Sequence, residues 1–292
     1  MRFRTLQDIT EICTREALTI GELMLHDQAK EAGVSVYEVY NQMSDYYQVM
    51  KTAVRKGLEM EAGSRSGLIG GDGRKMNVSI AAEEPFVGQW GGKAMAYALA
   101  VSEINASMGR IVATPTAGSC GILPGVFVST QERFDWEDER LVMGLFAAGA
   151  IGYVIANNSF ISGAEGGCQA EIGSAIGMAA GALVELHGGS PEQAVHAVGL
   201  ALKNTLGLIC DPVAGLVEVP CIVRNGMGAV NALAAADMAL AGVRSVIPSD
   251  EVISVMLEIG SSMPMEHRET ALGGLAQTPT GRKITESIRM GG

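Results

Sequence analysis

Gly173, Gly177 and Gly181 recur every four residues through a segment with no proline. That spacing places all three on one stripe of one helix. Each glycine weakens a helix by about 1 kcal/mol relative to alanine. Three on one face are tolerable only where another backbone comes close. A chain built around such a stripe needs a second helix laid against it. The composition agrees: 38 glycines, 16 methionines and only 5% aromatic residues describe a core of small, flexible side chains. Closely packed helices use such side chains better than a β-sandwich does.

The helix punctuation is dense. Ser35 to Glu38 has capping-box spacing and opens a pattern that runs to about Met60. Ser190-Pro191-Glu192-Gln193 combines an N-cap serine, a proline at the first helical position and a glutamine at the third. Ser249-Asp250-Glu251 opens another helix, with Gly260 as its expected stop. Strand signals are confined to short runs such as Arg110 to Ala113. The expected fold is all-α, a helical bundle of 292 residues in one domain, with residues 1–62 as an N-terminal helical arm. The glycine-rich segment EAGSRSGLIGGDGRK, residues 61–75, separates that arm from the helical body.

A formal net charge of −11 argues against a nucleic-acid binder, because phosphates would be repelled. The opening MRFRTLQDITEICTRE holds no apolar run of signal-peptide length, so the cytoplasm is the expected compartment. The apolar run LVMGLFAAGAIGYVIA, residues 141–156, falls short of the roughly 20 residues of a spanning helix and reads as a buried helix. No membrane association is expected. In a cytoplasmic chain the five cysteines are core residues, metal ligands or nucleophiles, not a disulfide framework.

Four segments are poorly suited to simple packing. ATPTAGSCGILPG, residues 113–125, is a loop of small and hydroxyl-bearing residues whose backbone can approach a carboxylate, or a plain turn. ANNSFISGAEGGCQAEIGSA, residues 156–175, interrupts two apolar stretches with Asn157, Asn158, Ser159 and Ser162. GLICDPVAGLVEVPC, residues 207–221, sets two cysteines beside prolines, after Lys203 and Asn204. RETALGGLAQTPTGR closes the series at residues 268–282. Cys13 and Cys120 read as ordinary buried thiols. Cys168, Cys210 and Cys221 each adjoin glycine or proline, without the paired CxxC spacing of a closed zinc site. Three thiolates with no fourth suit a [4Fe–4S] cluster with one open iron; three unrelated core cysteines are the alternative.

Together these four segments resemble the iron–sulfur-dependent L-serine dehydratases (L-serine ammonia-lyases), specifically their α subunit or α domain. GLIGGDGRK resembles a further family segment, usually closer to GLTGGDA. The resemblance covers almost the whole chain. It implies a helical bundle with a [4Fe–4S] cluster at converging helix ends and loops, held by Cys168, Cys210 and Cys221. It implies a carbon–nitrogen lyase that converts L-serine to pyruvate and ammonia, with an open iron as Lewis acid, in amino-acid degradation that feeds gluconeogenesis. Neither Cys13 nor Cys120 matches a family ligand. The chain ends in IRMGG, so no C-terminal cysteine is expected to occupy the open iron. The family's β module, with its SSSHT-type segment, has no counterpart here, which implies a separate β subunit and a hetero-oligomer.

For substrate, Thr114, Thr116 and Ser119 are expected to grip the carboxylate of serine, with Asn158 around it and Asn204 near the cluster. Lys75, Asn157 and Ser162 are the candidate catalytic residues, each with a structural hydrogen bond as the alternative. Glu165, Glu171 and Asp211 flank ligand cysteines and read as anchors for their neighbours. His187 reads as a partner of a helix C-terminus, and His267 as able to approach the tail motif. Rival readings are a lyase for another small amino acid (an L-cysteine desulfidase or L-threonine dehydratase) and a non-catalytic cluster-binding subunit.

Overall fold

A computed structural model of the chain describes residues 1–61, 63–64 and 66–290. Ala62, at the edge of the expected arm, Arg65, in the glycine-rich segment, and Gly291 and Gly292, at the end of the tail, lie outside the described residues. The described residues are helical, with no strand. The one bridge of sheet type joins Cys210 to Arg268 in parallel. Arg110 to Ala113, the clearest strand signal, is irregular backbone.

Three helices begin the chain: α1 (Leu6–Glu16), α2 (Ile20–Ala32) and α3 (Val36–Glu59). Each carries a complete capping box, at Thr5, Thr19 and Ser35. After the glycine-rich connection come α4 (Asp72–Ala82) and α5 (Gly88–Ala106), then α6 (Ile122–Phe134) and α7 (Asp138–Asn158). A single turn, α8 (Gly163–Gly166), and a π-type turn over Gln169–Gly173 lead into α9 (Ser174–Leu186). The chain closes with α10 (Pro191–Lys203), α11 (Cys221–Leu240), α12 (Ser249–Ser262) and α13 (Pro279–Met290).

α9 sits at the centre, against α7, α10 and α11, and α5 lies against α4, α6 and α11. The glycine stripe does the expected work at Gly181, whereas Gly173, in the π-type turn, and Gly177 face the side chains of Thr205, Val198 and Leu202. A Cβ at Gly181 would meet Ile151 and Val198 and would lie 3.3 Å from the backbone oxygen of Ala194 at the start of α10. The core is continuous from Phe3, just before the first helix, and Leu6 and Ile9 in it to Ile253 and Met256 in α12. α7 is the one helix among the described residues long and apolar enough to cross a membrane, and 67% of its apolar window is buried inside the fold.

Gly260 does not stop its helix. α12 continues to Ser262, and Gly260 instead lets it press on the one-turn helix α8, where an added Cβ would stand 3.0 Å from the Cα of Gly166. Ser249 opens α12 as expected; Pro248 is the cap, and Ser249 Oγ donates to the Val195 carbonyl.

Candidate metal centre

Cys168, Cys210 and Cys221 come from three different segments and are all buried. Cys168 follows the one-turn helix. Gly167 before it has φ +75°, and a Cβ there would fall 2.9 Å or less from Leu208 O and the side chain of Met263. Only glycine accepts both constraints. Gln169, fully buried, then fastens the turn: its Nε2 donates to Met256 O at 3.0 Å and its Oε1 accepts from Gly207 N at 2.9 Å.

Cys210 lies on extended backbone held by the tail. Its N–H donates to His267 O at 2.8 Å, and its carbonyl accepts from Glu269 N at 2.9 Å. His267 thus meets this segment through its backbone. Cys221 is the first residue of α11, behind a cis Val219–Pro220 bond. The buried carboxylate of Glu218 accepts hydrogen bonds from Ser64 and Ser66 of the glycine-rich connection. The chain turns between the two cysteines, and their thiols end up near enough for Cys221 to act on Cys210 through charge.

Cys168 Sγ, Cys210 Sγ and a carboxylate oxygen of Glu171 all lie within 4.8 Å of one another. The hydrogen bond from Cys210, and then the charge of Arg224, hold the Cys168 thiol below its ordinary range. The same hydrogen bond, then burial, pushes Cys210 up. Cys221 stands outside the tight group yet senses it: burial first, then the charges at Cys168 and Glu171, raise its pKa. Burial also raises Glu171, against the hydrogen bond from Thr116.

Arg224 ties the pocket together. One of its nitrogens, Nη1, donates to Cys168 Sγ at 3.2 Å and to Ile209 O at 2.9 Å. The other, Nη2, reaches Asp211 Oδ1 at 3.1 Å, and Asp211 Oδ2 accepts from Leu275 N in the tail at 2.8 Å. Asn225 next to it is buried: it donates to Gly118 O and Cys221 O and accepts from Gly121 N, joining α11 to the Thr114–Cys120 loop. Neither Arg224 nor Asn225 was singled out from sequence. The signal was present, since a residue three after Cys221 shares its helix face.

The Thr114–Cys120 loop borders the pocket. Thr116 Oγ1 donates to Glu171 at 2.7 Å. Ser119 Oγ donates to Thr114 O at 3.0 Å, and Thr114 Oγ1 is buried without a partner. Ser162 caps the one-turn helix by accepting from Ala164 N, next to Gly163, which abuts Cys210. Asn204 caps α10 and lines, with Arg224 and Ile172, a cleft of about 500 Å³. Asn157 and Asn158 are exposed at the end of α7, where their amides donate to Tyr153 O, and to Val154 O and Arg4 O. Lys75 is exposed on α4 and pairs with Asp72 at 2.7 Å. Of the expected anchors, Asp211 binds Arg224 and the tail, Glu171 stands among the thiols, and Glu165 is exposed. His187 ends α9, its ring against Phe134 and Trp136.

The donor set suits a soft metal group. Two sulfurs meet in a buried corner with a third buried thiol, Cys221, nearby, a guanidinium donates to Cys168, and no disulfide engages the three.

The serine dehydratase alpha chain family model matches residues 15–276. The chain is 49% identical to the Bacillus subtilis protein named "Probable L-serine dehydratase, alpha chain", over 98% of this chain and 95% of that one. It is 42% identical to the L-serine dehydratase alpha chain of Peptoniphilus asaccharolyticus, over 96% of each. Against the L-serine dehydratase of Streptomyces coelicolor it is 41% identical, with 94% of this chain matched but only 60% of that longer one. On this evidence the chain belongs to the serine dehydratase alpha chain family.

Proposed function

We propose that this chain is the α subunit of a cytoplasmic L-serine dehydratase, which eliminates water from L-serine and releases pyruvate and ammonia. The observation that carries the proposal is the meeting of Cys168 and Cys210 in one buried corner, with buried Cys221 near enough to sense the charge at Cys168, in a chain of this family. These three residues would hold a [4Fe–4S] cluster, and an iron left without a protein ligand would supply a Lewis acid for the carboxylate and departing hydroxyl of serine.

The chain's own residues set the stage for that chemistry. Arg224 keeps a positive charge against Cys168, so a buried thiolate is not left alone. Asp211 holds Arg224 and the tail in fixed relation. Thr114, Thr116 and Ser119 present hydroxyls on a loop that Asn225 clamps to α11, so a bound amino acid would meet groups already in place. The free hydroxyl of Thr114 is the group least committed to the protein.

The Streptomyces relative carries, in one chain, about 40% of its length beyond the part matched here, whereas the two alpha chains are matched nearly end to end. In this reading a separate β subunit supplies the equivalent of that portion, and the enzyme is a hetero-oligomer. The test is anaerobic reconstitution of the chain with iron and sulfide, with and without the β subunit, followed by pyruvate release from L-serine. Cluster uptake and pyruvate formation are expected for the pair. A chain that takes up no cluster, or a loaded pair that leaves L-serine unchanged, would overturn the reading.

A further inference from the structure

The two tryptophans of the chain, Trp90 and Trp136, stand at one place, far from the cysteines. With Phe134 and His187 they wall a small cavity. Its floor is Leu183, near the end of α9, and Leu233 and Leu240, in the last turns of α11. Cys221 opens α11, and Ala236 at the cavity lies about 22 Å further along that helix. The cavity is therefore separate from the metal centre. Aromatic residues are only 5% of the chain, so their gathering here does not follow from abundance.

The wall is fixed by the chain itself. Gln131 Nε2 donates to Trp136 O at 2.9 Å, and Trp136 N donates back to Gln131 O at 3.3 Å. Phe134 and Trp136 are stacked with centroids 4.9 Å apart, and the His187 ring lies 4.6 Å from Phe134. Arg133 lies over Phe134 and Arg140 over Trp136. The faces of both rings are thus already covered, so they offer little to a ligand's own ring or to a lone cation. The room left is about 40 Å³, enough for a few water-sized groups. A short branched aliphatic chain on the leucine floor fits that space and gains from burial there. The rim supplies two charges, Arg133 from α6 and Asp237 from α11, both exposed. Neither forms an ion pair with the other or with any other described residue. A carboxylate alone would face Asp237 unpaired, and an amine alone would face Arg133. A zwitterion answers both.

We propose that this cavity binds one α-amino acid with a short branched aliphatic side chain, of the class of L-valine. Its carboxylate pairs with Arg133, its ammonium group with Asp237, and its side chain rests on Leu183 and Leu233. The inference goes beyond the serine reading: the bound amino acid is held without reaction and needs no metal. A molecule seated there touches both α9 and α11, whose opposite ends lead to Cys168 and Cys221.

The test is a fluorescence titration of the full chain with L-valine, in the absence of iron and sulfide. Both tryptophans report from the cavity wall, and equilibrium dialysis with labelled L-valine counts the sites. A saturable change and one L-valine per chain are expected. Isobutylamine, which lacks the carboxylate, and 3-methylbutanoate, which lacks the ammonium group, should bind at least about tenfold more weakly, as the loss of a hydrogen bond to a charged group implies. The same loss is expected for L-valine in Arg133→Met and in Asp237→Asn, whose exposed side chains make both changes mild for the fold. Absence of binding up to about 10 mM L-valine overturns the proposal. So does wild-type affinity in Asp237→Asn, which would place the amino acid elsewhere, or equal affinity for isobutylamine. Pyruvate release from L-serine by the loaded pair, measured alongside, separates the two readings. Its failure overturns the serine reading and leaves L-valine binding as it stands. Pyruvate release without L-valine binding overturns only this inference.

Discussion

Cys13 and Cys120 are as deeply buried as Cys168 and Cys210, yet they live in a different chemical world. Cys13 sits on α1 in the apolar arm, and Cys120 just before α6. Burial pushes both thiols up to about 12. Nothing around them rewards ionisation enough to offset desolvation. Cys168 is buried to the same degree, and its thiol is moved the other way, because a second thiol donates to it and a guanidinium faces it. Burial therefore does not separate structural from functional cysteines in this protein. The neighbours do, and they come from residues 171, 210 and 224, far apart in the chain.

The strongest way to break this contrast is to exchange the two classes. Serine at Cys168, Cys210 or Cys221 is expected to abolish iron–sulfur loading and pyruvate formation. Alanine at Cys13 or Cys120 should leave both intact, at a cost of about 1–2 kcal/mol in urea unfolding. Equal behaviour of all five would dissolve the distinction.

Next in size is Arg224→Met. It removes the charge beside Cys168 and leaves Asp211, whose side chain is 3% exposed, without its partner. A stability loss of about 3–5 kcal/mol is expected from the broken buried pair, measured by denaturant midpoint. A loss under about 1 kcal/mol would show that the pair is solvated and that Arg224 does not join the segments.

The contact between α9 and α2 has its own perturbed group. Glu185 of α9 accepts from Ile20 N and Gly21 N at the start of α2, and burial raises its pKa to about 7. Raised above its ordinary value of 4.5, this carboxyl binds a proton more readily folded than unfolded. Stability from this group is therefore greatest below about pH 4.5 and falls as pH rises towards 7. The ceiling on the change is about 3 kcal/mol, reduced by partial exposure to solvent. Glu185→Gln should flatten that pH dependence and leave metal uptake unchanged. An identical slope in the variant would assign the effect to other groups.

The smallest effect belongs to Ser190→Ala, which removes the capping box of α10 at an expected cost of about 1 kcal/mol. Thermal unfolding should register it while iron–sulfur loading stays the same. A change in metal binding would mean that α10 couples to the pocket through Asn204.

The helices were legible because their causes are local. The boxes at Ser35 and Ser190 act within a few residues and form as expected, and of the glycine stripe Gly181 takes the close backbone it called for. Gly260 differs from its expected role as a stop for the opposite reason, since α8 packs against it and the helix runs on to Ser262. The four unusual segments were visible as violations of simple packing. Their order and motifs were enough to suggest the family before any coordinates.

Sequence alone determined that the chain would be helical, that α9 would need a close neighbour, and that three of five cysteines lay on backbone unsuited to a plain core. Periodicity, capping and turn chemistry are short-range, so they can be read in one dimension. Only the tertiary structure decided that Glu171 stands among the thiols, that Arg224 joins Cys168 to Asp211, and that Asn157, Asn158 and Lys75 spend their polar atoms on local partners. Those outcomes depend on where distant helix ends meet, and the spacing of residues along a chain carries no record of that.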